Sequence, residues 1–187
     1  MNTLQCTAAM SDGEYLTFPE AVTRYGDRIV CFLDRFLNDH GRANDLAQET
    51  LLRFHDRIWG TPNTHPGDPT SLLFTIAANL GRDELRRRQT RRETPLTLAN
   101  ETIATGTPSP IVGVEQDERR QCVRTALALL PEDDRVLLIL REVQELRYEQ
   151  ISEILAIPLS TLKSRIIKAR FAFRDAWMCT NGKELDK

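Results

Sequence analysis

A chain of 187 residues, 41% hydrophobic and 28% charged, has room for one domain or two small ones and enough apolar content to fold them. Its 25 basic and 27 acidic residues leave a net charge of −2, so a uniformly basic nucleic-acid binder is excluded and any such activity must come from local patches. Cys6, Cys31, Cys122 and Cys179 lie far apart and, with His40, His55 and His65, offer no zinc-ligand spacing, so no metal or cofactor is expected.

Residues 1–17 are polar and expected to be loose. They lack the basic start and apolar core of a secretion signal, and no apolar run in the chain nears the ~20 residues of a membrane span. A cytoplasmic protein without membrane insertion is expected. A helix is predicted from Phe18, with Pro19 suited to its first turn. Val22, Tyr25, Ile29, Phe32, Leu33 and Phe36 recur on one side of it. After a turn at Asn38–Gly41, a second helix is predicted from Arg42 to Trp59. Leu46, Leu52, Phe54, Ile58 and Trp59 are its apolar positions, and Asp45, Gln48, Glu49 and Arg53 lie on a polar face. On pattern alone that face is a solvated surface.

Residues 60–69 form a loop thick with glycine and proline. A third helix is predicted over Thr70–Arg92, with Leu72, Leu73, Ile76, Ala77, Leu80 and Leu85 toward a core. Arg82, Arg86, Arg87 and Arg88 are too many to share that core, so they should meet solvent or phosphate. From 93 to 115, threonine, proline and small residues replace helical periodicity, the composition of a flexible linker. Helical pattern resumes at Gln116, with Val123, Ala126, Leu127 and Leu130 on one face. Leu130-Pro131 breaks it, and Val136, Leu137, Ile139, Leu140 and Val143 follow as an apolar support.

Leu146–Arg174 has the pattern of a helix-turn-helix. Ile151, Ile154 and Leu155 share one side of a short helix. Pro158 separates it from a second helix striped by Leu162, Ile166, Ala169 and Phe173. Turning about 100° per residue puts Ser160, Thr161, Lys163, Ser164 and Lys168 outward, with Arg165, Arg170 and Arg174 on the flanks and Ile167 and Phe171 on the open side. Short donors and flexible cations in the first turns are what a helix in a major groove needs. An amphipathic hairpin with a solvated basic face fits the periodicity equally well. Residues 180–187 are expected to fray. The fold class expected is all-α, with two small helical domains at 18–92 and 116–179 joined by the linker.

The stretch LPEDDRVLLILREVQELRYEQISEILAIPLSTLKSRIIKAR, from Leu130 to Arg170, resembles the fourth region of an extracytoplasmic-function sigma factor, the small promoter-recognising subunit of bacterial RNA polymerase. The resemblance implies contact with the upstream, minus-thirty-five promoter element through Ser160, Thr161, Lys163, Ser164, Arg165, Lys168 and Arg170. ANDLAQETL, Ala43–Leu51, resembles the second-region helix that docks on the coiled coil of polymerase's largest subunit, which implies core-polymerase contacts at Asp45, Gln48, Glu49 and Arg53. IAANLGRDELRRR, Ile76–Arg88, resembles the segment that melts the promoter and reads the minus-ten element, implying roles for Asn79, Arg82, Asp83, Arg86 and Arg87. Core RNA polymerase, promoter DNA and an anti-sigma factor are the partners implied, and no catalysis of its own.

Four positions depart from the family pattern. Ala156 stands where glycine is frequent, and at positive φ it would cost on the order of 1 kcal/mol. Asn44 replaces an acidic residue, Leu72 a tryptophan and Ala78 an arginine. Fewer aromatic platforms imply weak intrinsic melting, since stacking is worth about 1–3 kcal/mol per base. Two other functions compete with this one. A one-component helix-turn-helix regulator would be expected to dimerise on paired half-sites, and a protein-interaction module would retain the fold without its DNA contacts.

Overall fold

A computed structural model of the chain describes residues 7–9, 15–59, 68–93 and 114–181. The expected linker falls almost wholly outside these residues, as do most of the 60–69 loop and residues 182–187.

The described chain is built from seven α-helices and one π-helical turn, with a small β-ladder at its start. That ladder pairs β1 (Thr7–Ala9) antiparallel with β2 (Tyr15–Thr17), where the sequence suggested only loose chain. Thr17 ends β2 and caps α1 (Phe18–Leu37): its Oγ1 accepts from the Glu20 amide at 3.4 Å, while Glu20 Oε2 accepts from the Thr17 amide at 2.8 Å. This reciprocal box satisfies two amides that a helix start otherwise leaves without partners. Asn38, in the left-handed region at φ 53°, stops α1. The turn is shorter than expected, because α2 (His40–Trp59) begins at once, with Asp39 Oδ1 accepting from the Arg42 amide.

Asp68 caps α3 (Pro69–Glu93) by accepting from the Thr70 amide and the Ser71 hydroxyl. Helices α1, α2 and α3 pack around Phe32, Phe36, Phe54, Phe74, Leu33 and Leu73, all fully buried. Gly81 makes the α1–α3 approach close: a methyl group there would lie 2.6 Å from the Phe36 ring. Arg88, read from the sequence as facing solvent or phosphate, instead ties this bundle together. It reaches Asp39 at 2.7 Å, Glu84 at 3.1 Å and the Leu37 carbonyl at 3.3 Å. Leu52, one of the apolar positions of α2, is 58% exposed and lies outside this core.

The second half runs α4 (Val114–Ala128), α5 (Glu132–Leu138), a π-helical turn at Ile139–Val143, α6 (Tyr148–Leu155) and α7 (Leu159–Asn181). Acidic residues fill the first turn of α5, where the helix dipole favours them. Ala156 closes α6 at φ 52°, and Ser152 Oγ donates to the Ile157 carbonyl at 2.6 Å to fix the tight turn. Pro158 then precedes α7, whose Leu162, Ile166 and Ala169 are buried as their spacing predicts. The helix persists to Asn181, beyond the expected start of fraying, and Thr180 Oγ1 donates back to the Trp177 carbonyl at 2.9 Å.

The halves do not stand apart: buried residues of both belong to one apolar cluster. Helix α1 packs against α4 and the π turn, and α3 against α6. Polar side chains stitch the seam. Arg28 donates to the Gln144 side chain and carbonyl at 3.3 and 3.0 Å, and Gln144 returns a bond to the Arg28 carbonyl at 3.2 Å. Arg124 pairs with the buried Asp34, and Gln150 donates to Asp68. Arg135 inserts its guanidinium between the halves, donating to the carbonyls of Phe36, Ala128 and Leu130 at 3.0, 2.9 and 3.1 Å.

Candidate nucleic-acid interface

The outward side of α7 is set by what its inward side must bury. With Leu162, Ile166 and Ala169 in the core, Ser160, Thr161, Lys163, Ser164 and Lys168 are left exposed on the opposite side, in and after the first turns. Ser164 Oγ donates to the Thr161 carbonyl at 2.9 Å, which orients its hydroxyl along the helix. The two lysines supply mobile positive charge of the kind that meets phosphate, and the hydroxyls supply short donors and acceptors that reach base edges.

The other two members of the α7 set are engaged inside the protein. Arg165 is half-buried, 3.3 Å from Asp133 and 3.8 Å from Asp134. Arg170 pairs with Glu142 at 2.7 Å, and the hydrogen bond it donates to that carboxylate, together with the carboxylate's charge, holds the guanidinium pKa above its ordinary value. Ile167 and Phe171 are 55% and 53% exposed, and Met178, on the same helix, 67%. The Arg174 guanidinium covers one face of Phe171 at 4.9 Å.

On α3, Asn79, Asp83, Arg86 and Arg87 are exposed and spaced to form one stripe. Asp83 and Arg86 pair loosely across that stripe at 3.8 Å. Arg82 belongs to the same side but leans away from solvent, 3.4 Å from Glu132 and 3.6 Å from Asp133 of α5. Position 78 is fully buried as alanine, and Leu72 is half-buried against the core. Neither offers a cation or an open ring to a nucleic-acid strand.

On α2, Asp45, Gln48 and Arg53 are exposed and Glu49 partly so, with Arg53 and Glu49 paired at 2.7 Å. Leu52 sits among them. Its place on this face was legible from spacing: three and four residues from Glu49 and Gln48, a helical count puts it on the same side. Asn44 directs its amide to the His40 carbonyl at 2.9 Å. The seam residues Arg28, Asp34, Arg124, Arg135 and Gln144 were missed, since no local pattern marks a contact between segments about a hundred residues apart. Asp68 reports the seam electrostatically. Burial raises its pKa, but hydrogen bonds from Gln150, Thr70 and Ser71 outweigh that and hold the carboxyl below its ordinary value.

Comparison with known proteins bears on these surfaces. Residues 21–91 match the family model described as sigma-70 region 2, and residues 120–170 match that for sigma-70, region 4. RNA polymerase sigma-H factor of Pseudomonas aeruginosa is 29% identical over 181 residues, covering 92% of this chain and 92% of that protein. ECF RNA polymerase sigma factor SigW of Bacillus subtilis is 28% identical over 170 residues, covering 87% and 89%. The fold resembles the sigma factor RpoE, solved with the anti-sigma factor NepR from Bartonella quintana, at a TM-score of 0.65 and 20% identity over 91% of this chain and 98% of that one. It also resembles CnrH, solved with the cytosolic domain of CnrY, at a TM-score of 0.60 and 18% identity over 84% and 85%. Among the described residues no helix is long and apolar enough to cross a membrane.

Proposed function

The chain belongs to the sigma-70 family of RNA polymerase sigma factors, in its extracytoplasmic-function group, and on that footing we propose which of its surfaces does what. As a sigma factor it binds core polymerase and directs promoter-specific initiation. Residues 18–92 form the part that docks on polymerase through Asp45, Gln48, Glu49 and Arg53 of α2. The same part engages the minus-ten element through Asn79, Arg82, Asp83, Arg86 and Arg87 of α3. Residues 116–179 form the part that lays α7 in the major groove of the minus-thirty-five element, through Ser160, Thr161, Lys163, Ser164, Arg165, Lys168 and Arg170. The chain catalyses nothing; polymerase makes the RNA. It works in the cytoplasm, and an anti-sigma factor covers the same surfaces when transcription is not required.

The observation that carries this reading is the exposed row of hydroxyls and lysines on α7, behind a turn fixed at Ala156, in a chain matched by both region models. Chain dimensions add a mechanical argument. Two DNA elements about two helical turns apart are separated by roughly 70 Å. The 20 residues from 94 to 113, between the end of α3 and the start of α4, can span at most about 70 Å even when fully extended. Both readers reach their elements together only when a larger body holds them apart, and polymerase is that body.

Run-off transcription tests it. Purified protein added to core polymerase should start RNA at discrete sites in a genomic promoter library, and core alone should not. If the protein starts no RNA with core and instead footprints a palindrome by itself, it is a one-component regulator.

A further inference from the structure

Leu159 is the first residue of α7 and is 39% exposed, whereas Leu155 and Ile157 just before it pack against the core. The exposed Lys163 follows one turn on along the same edge of the helix, and the exposed Ser160 and Ser164 form the next row. An apolar side chain therefore stands in a set otherwise made of hydroxyls and lysines. Its backbone is held on both sides. The Ile157 amide donates to the Ser152 carbonyl at 3.1 Å, and Ser152 Oγ donates to the Ile157 carbonyl at 2.6 Å. The Leu162 amide donates to the Pro158 carbonyl at 2.9 Å, and the Pro158 ring fixes its own φ. We propose that Leu159 is a specificity-determining residue of the upstream reader, and that the group it reads is the C5-methyl of a thymine. The inference rests on α7 being the helix laid in the major groove, and deepens that assignment by naming a base.

The N-terminal residues of a recognition helix are the ones that reach base edges, and Leu159 stands at that end of α7. In the major groove thymine alone among the DNA bases presents a methyl group. Against that methyl Leu159 sheds water and leaves no polar group without a partner. Against the amino or carbonyl edge of another base it would strip a donor or acceptor of water and offer nothing in return. The contact thus favours thymine and disfavours its competitors at once. The neighbouring side chains select less sharply, because a hydroxyl both donates and accepts, and a lysine meets phosphate as readily as guanine. The fixed turn adds precision: a side chain on an immobile backbone returns to the same base position each time.

Removing the methyl from the DNA tests this in the full-length protein bound to core polymerase, on the strongest promoter recovered from the genomic library. Each thymine of the upstream element is replaced in turn by deoxyuridine, which keeps base pairing and deletes only the C5-methyl. Affinity is measured by competition at fixed salt. At one position wild-type holoenzyme should bind the uracil duplex about threefold more weakly, the effect of one buried methyl group. Leu159→Ala should bind the thymine duplex about threefold more weakly than wild type does, and should no longer distinguish thymine from uracil at that position. Leu159→Met, which keeps the apolar reach, should restore part of the distinction. Because Leu159 lies outside the core, none of these variants should shift the melting temperature. An upstream element without thymine, a wild type indifferent to every uracil, or a distinction that survives in Leu159→Ala each overturns the inference. If Lys163→Ala with Lys168→Ala leaves affinity and its salt slope unchanged on the same DNA, α7 is not the reader, and the assignment beneath the inference is what fails.

Discussion

Ala156 is where a single side chain strains the helix-turn-helix. Its φ of 52° is one that a Cβ resists, and its exposure leaves no packing in compensation. Ala156→Gly should therefore stabilise the protein by about 0.5–1 kcal/mol, with the urea midpoint rising and the slope unchanged. The paired lysines act differently, because they do not hold the fold. Replacing exposed Lys163 and Lys168 with alanine should leave thermal stability intact and weaken binding to upstream-element duplexes. The slope of log affinity against log salt should flatten by about 1 for each lysine that meets a phosphate; an unchanged slope removes them from the interface. Asp68 sets a pH dependence whose sign follows from its lowered pKa. A depressed carboxylate contributes stability above its unfolded value and loses it as pH falls through the folded one. The Gln150–Asp68 tie should accordingly be intact at neutral pH and fail only below about pH 4. Asp68→Asn should be less stable than wild type at pH 7, and the gap should narrow in acid unfolding curves.

Helix α2 shows what periodicity conveys and what it hides. Its buried residues, Leu46, Phe54 and Ile58, fell where the helical repeat placed them, and so did the apolar faces of α3, α7 and, apart from the exposed Val22, α1. Thr17 and Glu20, as T-x-x-E ahead of an apolar run, were also a legible start signal. Leu52 is an apolar residue of the same helix whose angle turns it outward. An apolar side chain set among Asp45, Gln48 and Arg53 resembles the centre of a protein interface, where one desolvated anchor carries much of the energy and polar neighbours set the register. Substituting Asp45 and Gln48 with alanine should lower core-polymerase affinity about tenfold, a loss of roughly 1.4 kcal/mol, without moving the melting temperature. Leu52→Ser should lower capture at least as far. Normal capture by both variants would return this side of α2 to solvent. Gly81 gives the converse case, a residue whose role is only steric. Its hydrogen lets α3 reach Phe36, a relation that lies between helices and has no signature in either one.

At the scale of the whole molecule, the sequence indicated two bundles and said nothing of their union, because a seam between residues about a hundred positions apart is written in neither local pattern. Arg135 is the residue on which that union turns, and opposing effects act on it. Burial pushes its guanidinium pKa down against the through-space pull of Glu132, and its Nε is buried with no partner, so part of the charge is poorly compensated. Against this, it satisfies the Phe36 carbonyl at the end of α1, the Ala128 carbonyl at the end of α4 and the Leu130 carbonyl beyond it. The part-buried carbonyls of Phe36 and Leu130, left without a donor, cost about 1–3 kcal/mol, more than relief of a half-buried cation returns. Arg135→Met, which keeps most of the volume and removes the donors, should therefore be destabilised by an amount in that range. It should also uncouple the halves. Trp59 reports on the first half and Trp177 on the second, so Trp59→Phe and Trp177→Phe backgrounds follow each separately by fluorescence in urea. In the otherwise native chain the two curves should coincide, as they must when one core is shared. With Arg135→Met they should part, the less stable half unfolding first. Curves that remain superimposed and unshifted would mean that the three carbonyls find other donors and that Arg135 does not hold the halves together.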